Sequence, residues 1–140
     1  MISHFTTAEE AQQAFYQAIE RADLAQMMAV WVEDDDIVCV HPGGPRHTGI
    51  DEIRESWRRI FARGPELKFD LLAERTVSGR MLSVHSVVER IAYLRGELPT
   101  ASAIATNIFV RSDHGWQMLV HHASPIPDEQ SGEDPPSVLH

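Results

Sequence analysis

Residues 67–93 read LKFDLLAERTVSGRMLSVHSVVERIAY, and this stretch decides the fold because apolar and polar residues alternate through much of it. A period of two is typical of strands that bury one face, so the pattern predicts strands over 67–77 and 81–93. Ser78-Gly79 lies between them and predicts a tight turn. The stretch therefore indicates an antiparallel hairpin.

The chain beyond this hairpin continues in the same way. Arg95-Gly96 predicts a second turn into a strand over 98–111, and residues 112–115 predict a third turn into a strand over 116–123. Short turns between successive strands are typical of an antiparallel meander, here of four strands.

The chain before the hairpin has helical spacing. Thr7 and Glu10 predict a helix start, and Asp23 predicts a second one. A short β-branched strand over 37–41 follows and ends at Pro42-Gly43-Gly44-Pro45. A third, amphipathic helix begins near Thr48, with one apolar side formed by Ile50, Ile53, Trp57, Ile60 and Phe61.

Helices that precede a meander predict an α+β fold. We expect a curved antiparallel sheet wrapped around the N-terminal helices as a cone with an internal pocket. The Pro- and acid-rich composition after Ser124 predicts a flexible tail over 125–140, which leaves one domain over 1–124.

Composition narrows the range of functions. The 140 residues carry 12 Lys and Arg against 21 Asp and Glu, a net charge of −9, which disfavours nucleic acid as a partner. No apolar run approaches the length of a membrane span, so we expect no membrane partner. Cys39 is the single cysteine and there is no signal-peptide pattern at the start, which together favour a cytoplasmic protein.

The sequence resembles the nuclear transport factor 2-like superfamily, in particular its SnoaL-like branch. The resemblance covers residues 5–125 and also extends to the ending of the calcium/calmodulin-dependent kinase association domain. Its motifs are Trp31, Val38-Cys39-Val40-His41-Pro42-Gly43-Gly44, Gly49-Ile50-Asp51-Glu52-Ile53 with Trp57, and Trp116 to Pro125.

This resemblance implies a cone-shaped pocket and a homodimer formed through the sheet. Members of the superfamily include ketosteroid isomerase, scytalone dehydratase, polyketide cyclases and oligomerisation domains, so the resemblance specifies the fold more closely than the chemistry. It places the counterpart of His122 on the inner surface. We therefore expect His122 rather than its neighbour His121 to face the pocket, since adjacent strand residues point to opposite faces.

The candidate catalytic residues are His122, His41 and Glu89. Histidine titrates near neutral pH and moves protons readily. His41 ends a predicted strand immediately before a Pro-Gly-Gly turn, which is typical of the mouth of a cleft. Glu89 lies in the middle of a predicted strand, where it is either a functional inward carboxyl group or an outward partner of Arg75 or Arg111.

The candidate ligand-binding residues are His85, Asn107, Trp31 and Trp57. His85 shares a face with Glu89, and Asn107 is a polar residue in an apolar strand that binds either a ligand carbonyl or a neighbouring group. Trp31 and Trp57 lie on apolar helix faces, where they pack in the core or stack on a flat ligand.

The sequence predicts neither a metal nor a nucleotide cofactor. It has no Walker or Gly-x-Gly-x-x-Gly motif and no close pair of histidines on a helix, although His41, His85 and His122 together could supply three nitrogen ligands.

Two functions are consistent with the sequence. The first is a protein that binds a small molecule and can act as a cofactor-free isomerase, dehydratase or cyclase that transfers a proton on an apolar carbonyl compound. The second is a homodimerising accessory domain with a vestigial pocket, favoured by the small-residue run Ala101-Ser102-Ala103-Ile104-Ala105.

Overall fold

The computed structural model describes residues 4–64, 66–94 and 100–127. Three helices precede or interrupt a six-stranded curved sheet, as the predicted α+β fold requires. The helices are α1 Ala8–Arg21, α2 Leu24–Val30 and α3 Ile50–Ala62; the strands are β1 Val38–Val40, β2 Arg46–Thr48, β3 Leu67–Ser78, β4 Leu82–Tyr93, β5 Ala101–Ser112 and β6 Gly115–Pro125.

The strand order is β2-β1-β6-β5-β4-β3, so the predicted meander of β3 to β6 is confirmed. All pairs are antiparallel except β1 and β6, which are parallel. The Pro-Gly-Gly segment turns the chain back on itself, and β2 pairs with β1 there. The sequence analysis missed β2 because three residues are too few to show a period.

Side chains at the helix starts form the predicted caps. Thr7 Oγ1 accepts from the Glu10 backbone N–H at 3.0 Å, and Asp23 Oδ1 accepts from the Gln26 N–H at 3.0 Å. These bonds satisfy donors that the first turn leaves free and fix where α1 and α2 begin. No helix in the described ranges is both long enough and apolar enough to cross a membrane.

The last strand reaches the start of the predicted tail. Pro125 ends β6, and the Ile126 N–H donates to the Ser102 carbonyl at 2.9 Å. Residues 128–140 of the predicted tail and the turn predicted at Arg95-Gly96 lie outside the described residues.

The hydrophobic core fills the concave side of the sheet. The helices lie across this face and bury their apolar stripes against it, a burial that supplies the main driving force for folding. The largest fully buried apolar side chains there are Trp31, Phe15, Phe109, Met27, Ile37, Ile53 and Met118.

Two bulges interrupt the alternation of the strands. In β6, Met118 pairs with Phe109 and Val120 pairs with Ile108, so Leu119 is an extra residue. In β3, the pairing shifts between Leu72 and Arg75. An extra residue reverses which side chains point inward on its far side, so each bulge changes the face of the residues that follow it.

Ala73 forms the β3 bulge in the left-handed region, at φ +50°. We expect Ala73→Val to lower the free energy of unfolding by about 1–2 kcal/mol, because a β-branched residue is strained there. Ala73→Gly should leave it unchanged or raise it by up to about 1 kcal/mol. Urea denaturation measures the free energy of unfolding of both variants. Ala101→Val, at an exposed extended position of β5, is the control, and equal stabilities of the two valine variants would contradict the prediction.

Candidate functional site

A row of polar side chains crosses the inner face of the sheet where a core would ordinarily be apolar. His85 on β4 is opposite Asn107 on β5, and Asn107 is opposite His121 on β6. All three are buried. Buried polar groups are costly unless they are hydrogen-bonded, so the partners of this row determine what it does.

Helix α1 places two polar side chains over this row. Gln12 and Tyr16 are four residues apart and therefore lie on the same face of the helix. Gln12 Oε1 accepts from His85 Nδ1 at 3.1 Å and from Asn107 Nδ2 at 3.0 Å. Its amide nitrogen donates to Glu74 Oε2 at 2.7 Å. One glutamine thus connects α1 with three strands.

Tyr16 connects the row to a buried carboxyl group. Its hydroxyl lies 2.5 Å from Glu89 Oε2 and accepts from Asn107 Nδ2 at 3.1 Å. Glu89 is 2% exposed, and no Lys or Arg in the described chain forms an ion pair with it. Burial raises the pKa of Glu89, an effect that the Tyr16 hydrogen bond opposes. Burial, reinforced by Glu89, also raises the pKa of Tyr16.

We refer to Gln12, Tyr16, His85, Glu89, Asn107 and His121 as the buried network. It brings together three of the predicted site residues: His85, Glu89 and Asn107. The alternative in which Glu89 faces outward and pairs with an arginine is wrong, since its side chain is buried. Asn107 contacts side chains of the buried network rather than only the neighbouring backbone.

The expectation that His122 faces the interior is wrong. His121 is 3% exposed and its Nδ1 lies 2.6 Å from Asn107 Oδ1, whereas His122 is exposed on the outer face of the sheet. The bulge at Leu119 is the physical reason, because it gives His121 the face that strict alternation from Met118 assigns to His122. Burial lowers the pKa of His121 to about 3, and the nearby His41 and His122 add to this effect.

Glu74 reaches the buried network through the other bulge. Its side chain is 41% exposed and lies on the wall of an open groove between α1 and β3. Its Oε2 is 3.6 Å from His85 Nδ1, and Glu9 Oε2 is 3.7 Å from His85 Nε2. Burial lowers the pKa of His85, and the two carboxylates oppose that effect.

The groove beside the buried network has a volume of about 440 Å³. Gln12 and Tyr16 line its inner side, while Phe69 and Leu71 add apolar surface to its wall. This groove is open and lies at the rim, and buried side chains occupy the adjoining centre of the cone, where the internal pocket is expected.

His41 lies outside the buried network. Its Nε2 is 2.6 Å from Ser56 Oγ, and its ring packs edge-on against Trp57 with centroids 4.7 Å apart. Burial, together with His47, lowers its pKa to about 4. Trp31 and Trp57 are core residues whose indole N–H groups have no partner in the described structure.

The sequence analysis missed Gln12, Tyr16 and Glu74 as site residues. A detectable signal for the first two was present, because both interrupt the apolar stripe of α1 that contains Ala8, Phe15 and Ile19. Glu74 had no such signal, since its position depends on a bulge.

The arrangement offers acid–base groups rather than a metal site. His41, His85 and His122 do not converge, because His122 is on the outer face. Within the described ranges, no three His, Cys, Asp or Glu side chains are placed to hold a metal ion.

Comparison with known proteins identifies relatives of this chain. The model of the SnoaL-like domain matches residues 8–129. A candidate calcium/calmodulin-dependent protein kinase type II association domain from Thiobacillus denitrificans is 32% identical, with a TM-score of 0.81 over 89% of this chain and 98% of that one. A candidate dehydratase of the NTF2-like family from Streptomyces avermitilis is 30% identical, with a TM-score of 0.78 over 84% and 92%.

A plant protein also matches. F-box protein SKIP8 of Arabidopsis thaliana is 30% identical over 110 residues, which is 79% of this chain. The chain spans about half of that relative, 46% of its length. The family match covers most of the sequence, and the fold agrees with the resemblance drawn from the motifs: the chain belongs to the SnoaL-like domain family of the NTF2-like superfamily.

Proposed function

We propose that this protein binds a small carbonyl compound in the groove between α1 and β3 and moves a proton on it without a cofactor. The observation that carries the proposal is the Tyr16–Glu89 pair. The Glu89 carboxyl group, which pairs with no Lys or Arg among the described residues, is hydrogen-bonded at 2.5 Å to a tyrosine whose side chain also lines the groove. Buried carboxyl groups with displaced pKa values are concentrated at sites of proton transfer.

The Tyr16–Glu89 pair polarises the ligand carbonyl by hydrogen bonding to its oxygen. Because burial raises the pKa of Glu89, its neutral form is more accessible than that of an exposed glutamate. Neutral Glu89 keeps its proton and donates a hydrogen bond to Tyr16 Oη, so the tyrosine O–H is free to turn towards the groove. There it donates to the carbonyl oxygen of the ligand, where negative charge develops as the adjacent carbon loses a proton.

Glu74 acts as the base. It lines the same groove as Tyr16, and the bond from the Gln12 amide holds its carboxylate in place. A carboxylate that removes a proton beside a polarised carbonyl produces an enol or enolate. That intermediate is common to isomerisation, dehydration and cyclisation, and the dehydratase named among the relatives supports this class of reaction.

A cytoplasmic location belongs to the same proposal. Its support is Cys39, a free and buried thiol, which fits a reducing compartment.

Exchange of α-protons tests the proposed reaction directly. In D₂O, the protein should accelerate deuterium uptake into cyclohexanone or 1-indanone, followed by ¹H NMR. Tyr16→Phe removes the donor and should slow exchange by about 10²–10³-fold. Glu74→Gln removes the base and should slow exchange by about 10²-fold or more. Glu33→Gln, an exposed site away from the groove, is the control. Equal rates in all variants, or no acceleration by the wild type, would exclude the reaction.

The proposed role of Glu89 predicts an unusual variant. Glu89→Gln keeps an N–H donor towards Tyr16 Oη and cannot ionise, so it should retain exchange. The wild-type rate should fall as the pH rises through the raised pKa of Glu89, whereas Glu89→Gln should lack that fall. The exchange rates of the wild type and the variant, measured at closely spaced pH values, test this prediction. A variant that is inactive although folded would show that the carboxyl group has another role.

The raised pKa of Glu89 also links stability to pH. Between the usual pKa of a glutamate and the raised value, the native state holds a proton that the unfolded state releases, so stability is lost as the pH rises. The slope is at most about 1.4 kcal/mol per pH unit. The lowered pKa values of His41 and His121 have the opposite effect on stability, which is lost as the pH falls below the pKa of free histidine.

The histidines are shared by the wild type and Glu89→Gln, so the difference between their urea unfolding free energies isolates Glu89. Glu89→Gln should become increasingly more stable than the wild type as the pH rises above the usual pKa of a glutamate. A difference that stays constant from pH 5 to pH 9 would show that Glu89 does not change its charge on unfolding.

A second candidate function is homodimerisation through the outer face of the sheet, with a second copy of this chain as the partner. Ile104 is 45% exposed and lines a depression that has no Asp, Glu, Lys or Arg in its lining. The depression is lined by Ser86, Ile104, Thr106, Ile108, Val120, His122 and Ser124. A partly apolar surface without Asp, Glu, Lys or Arg fits a self-complementary interface.

Ile104→Arg should convert a dimer to a monomer, because each copy would bury an unpaired charge opposite its partner. Sedimentation velocity measures the oligomeric state of the wild type and the variants. Val77→Arg is the matched control, since Val77 is 73% exposed on the edge strand β3 and lies outside the depression. A wild-type monomer at all concentrations, or an unchanged dimer in Ile104→Arg, would reject this interface.

A further inference from the structure

We infer that Glu74 is a positioning residue that fixes the direction of the hydrogen bonds that run from Gln12 to His85 and through Asn107 to His121, and thereby the tautomer of His121. This role is separate from that of the base in the proposed function. Its consequence for catalysis rests on that function, whereas the direction of the hydrogen bonds does not.

The first step is the amide of Gln12. The Glu74 carboxylate is 41% exposed and can only accept when ionised, so the amide nitrogen of Gln12 must face it at 2.7 Å. The reversed amide would place its oxygen against the carboxylate and lose a charge-assisted hydrogen bond. Such a bond is worth roughly a tenfold to hundredfold preference.

The second step follows from the oxygen of Gln12, which only accepts. His85 Nδ1, at 3.1 Å, must therefore carry a proton, and the nitrogen of Asn107 must face Gln12 at 3.0 Å. Both assignments follow from the first, since neither group has another ionised partner within hydrogen-bond distance in the described structure.

The third step reaches His121. With the nitrogen of Asn107 turned towards Gln12 and Tyr16, its oxygen faces His121 Nδ1 at 2.6 Å and accepts a proton from it. Burial keeps His121 neutral, so its Nε2 carries a lone pair.

The other ends of the buried network adapt to either direction. The Ser83 hydroxyl, 2.9 Å from His85 Nε2, can donate or accept by rotating. A protonated Glu89 donates to Tyr16, so the tyrosine proton is free for either end of the Asn107 amide, whereas an ionised Glu89 accepts that proton and also favours the nitrogen of Asn107 towards Tyr16. Glu9 is 3.7 Å from His85 Nε2, which is too far for a hydrogen bond. While Glu89 is neutral, Glu74 is therefore the only one of these groups that imposes a direction.

Reversing the charge at position 74 should reverse the hydrogen bonds. A lysine donates, so the Gln12 oxygen would turn towards it and the Gln12 nitrogen towards His85 and Asn107. Asn107 would then turn its nitrogen to His121. In Glu74→Lys, both His85 and His121 should change from the Nδ1–H to the Nε2–H tautomer.

Long-range ¹H–¹⁵N NMR of ¹⁵N-histidine-labelled protein measures this change, because a ring nitrogen with a lone pair resonates well downfield of one with a proton. His85→Gln and His121→Gln assign the signals. The wild type should show both histidines as neutral Nδ1–H tautomers. Glu9→Lys is the matched control: it makes the same charge change beside His85 Nε2, where a donor favours the tautomer already present.

Tautomers that change in Glu74→Lys and not in Glu9→Lys support the inference. An Nε2–H tautomer of His121 in the wild type, or an unchanged His121 in Glu74→Lys, overturns it. If Glu74→Lys does not fold, Glu74→Ala replaces it and should give a mixture of tautomers, whereas the wild-type pattern would again overturn the inference. A tautomer change in a protein that never exchanges ketone protons would reject only the proposed function.

Discussion

The docking of α1 on the sheet depends on the side-chain amide of Gln12. Its oxygen accepts hydrogen bonds from donors on β4 and β5, and its nitrogen donates to an acceptor on β3. Leaving any of these groups unpaired in the core would cost about 1–3 kcal/mol. An apolar contact tolerates small shifts along a helix, whereas these bonds specify one position. The polar centre of the interface therefore fixes the register of α1, and the surrounding apolar residues supply most of the stability.

The two bulges have a common effect on this interface. Each adds one residue to an otherwise regular strand, and each turns a polar side chain towards the buried network: Glu74 from β3 and His121 from β6. The β3 bulge places Ala73 in a strained conformation. Irregular pairing that costs stability while placing a chemically active side chain is characteristic of functional sites.

The same bulges explain which parts of the structure could be predicted from the sequence. The helices and the meander followed from periodicity, because long apolar patterns reflect burial. His85, Glu89 and Asn107 were found because a polar residue on the inner face of a strand stands out against its neighbours. His122 is expected inside on the basis of the resemblance, and nothing in the local residue types marks the extra residue at Leu119 that turns His121 inward instead. Glu74 was not predictable for the same reason.

The geometry of the sheet also separates the two proposed functions. Asn107 and His121 point inward, while their chain neighbours Thr106 and His122 point outward into the depression around Ile104. Side chains that alternate along a strand give each face its own chemistry: hydrogen-bonded polar groups cross the inner face, and the outer face carries a partly apolar depression without Asp, Glu, Lys or Arg. A second copy that covers the outer face would touch no residue of the buried network. Because the groove opens at the edge between α1 and β3, such a dimer would also leave it accessible, so catalysis and self-association are compatible in this fold.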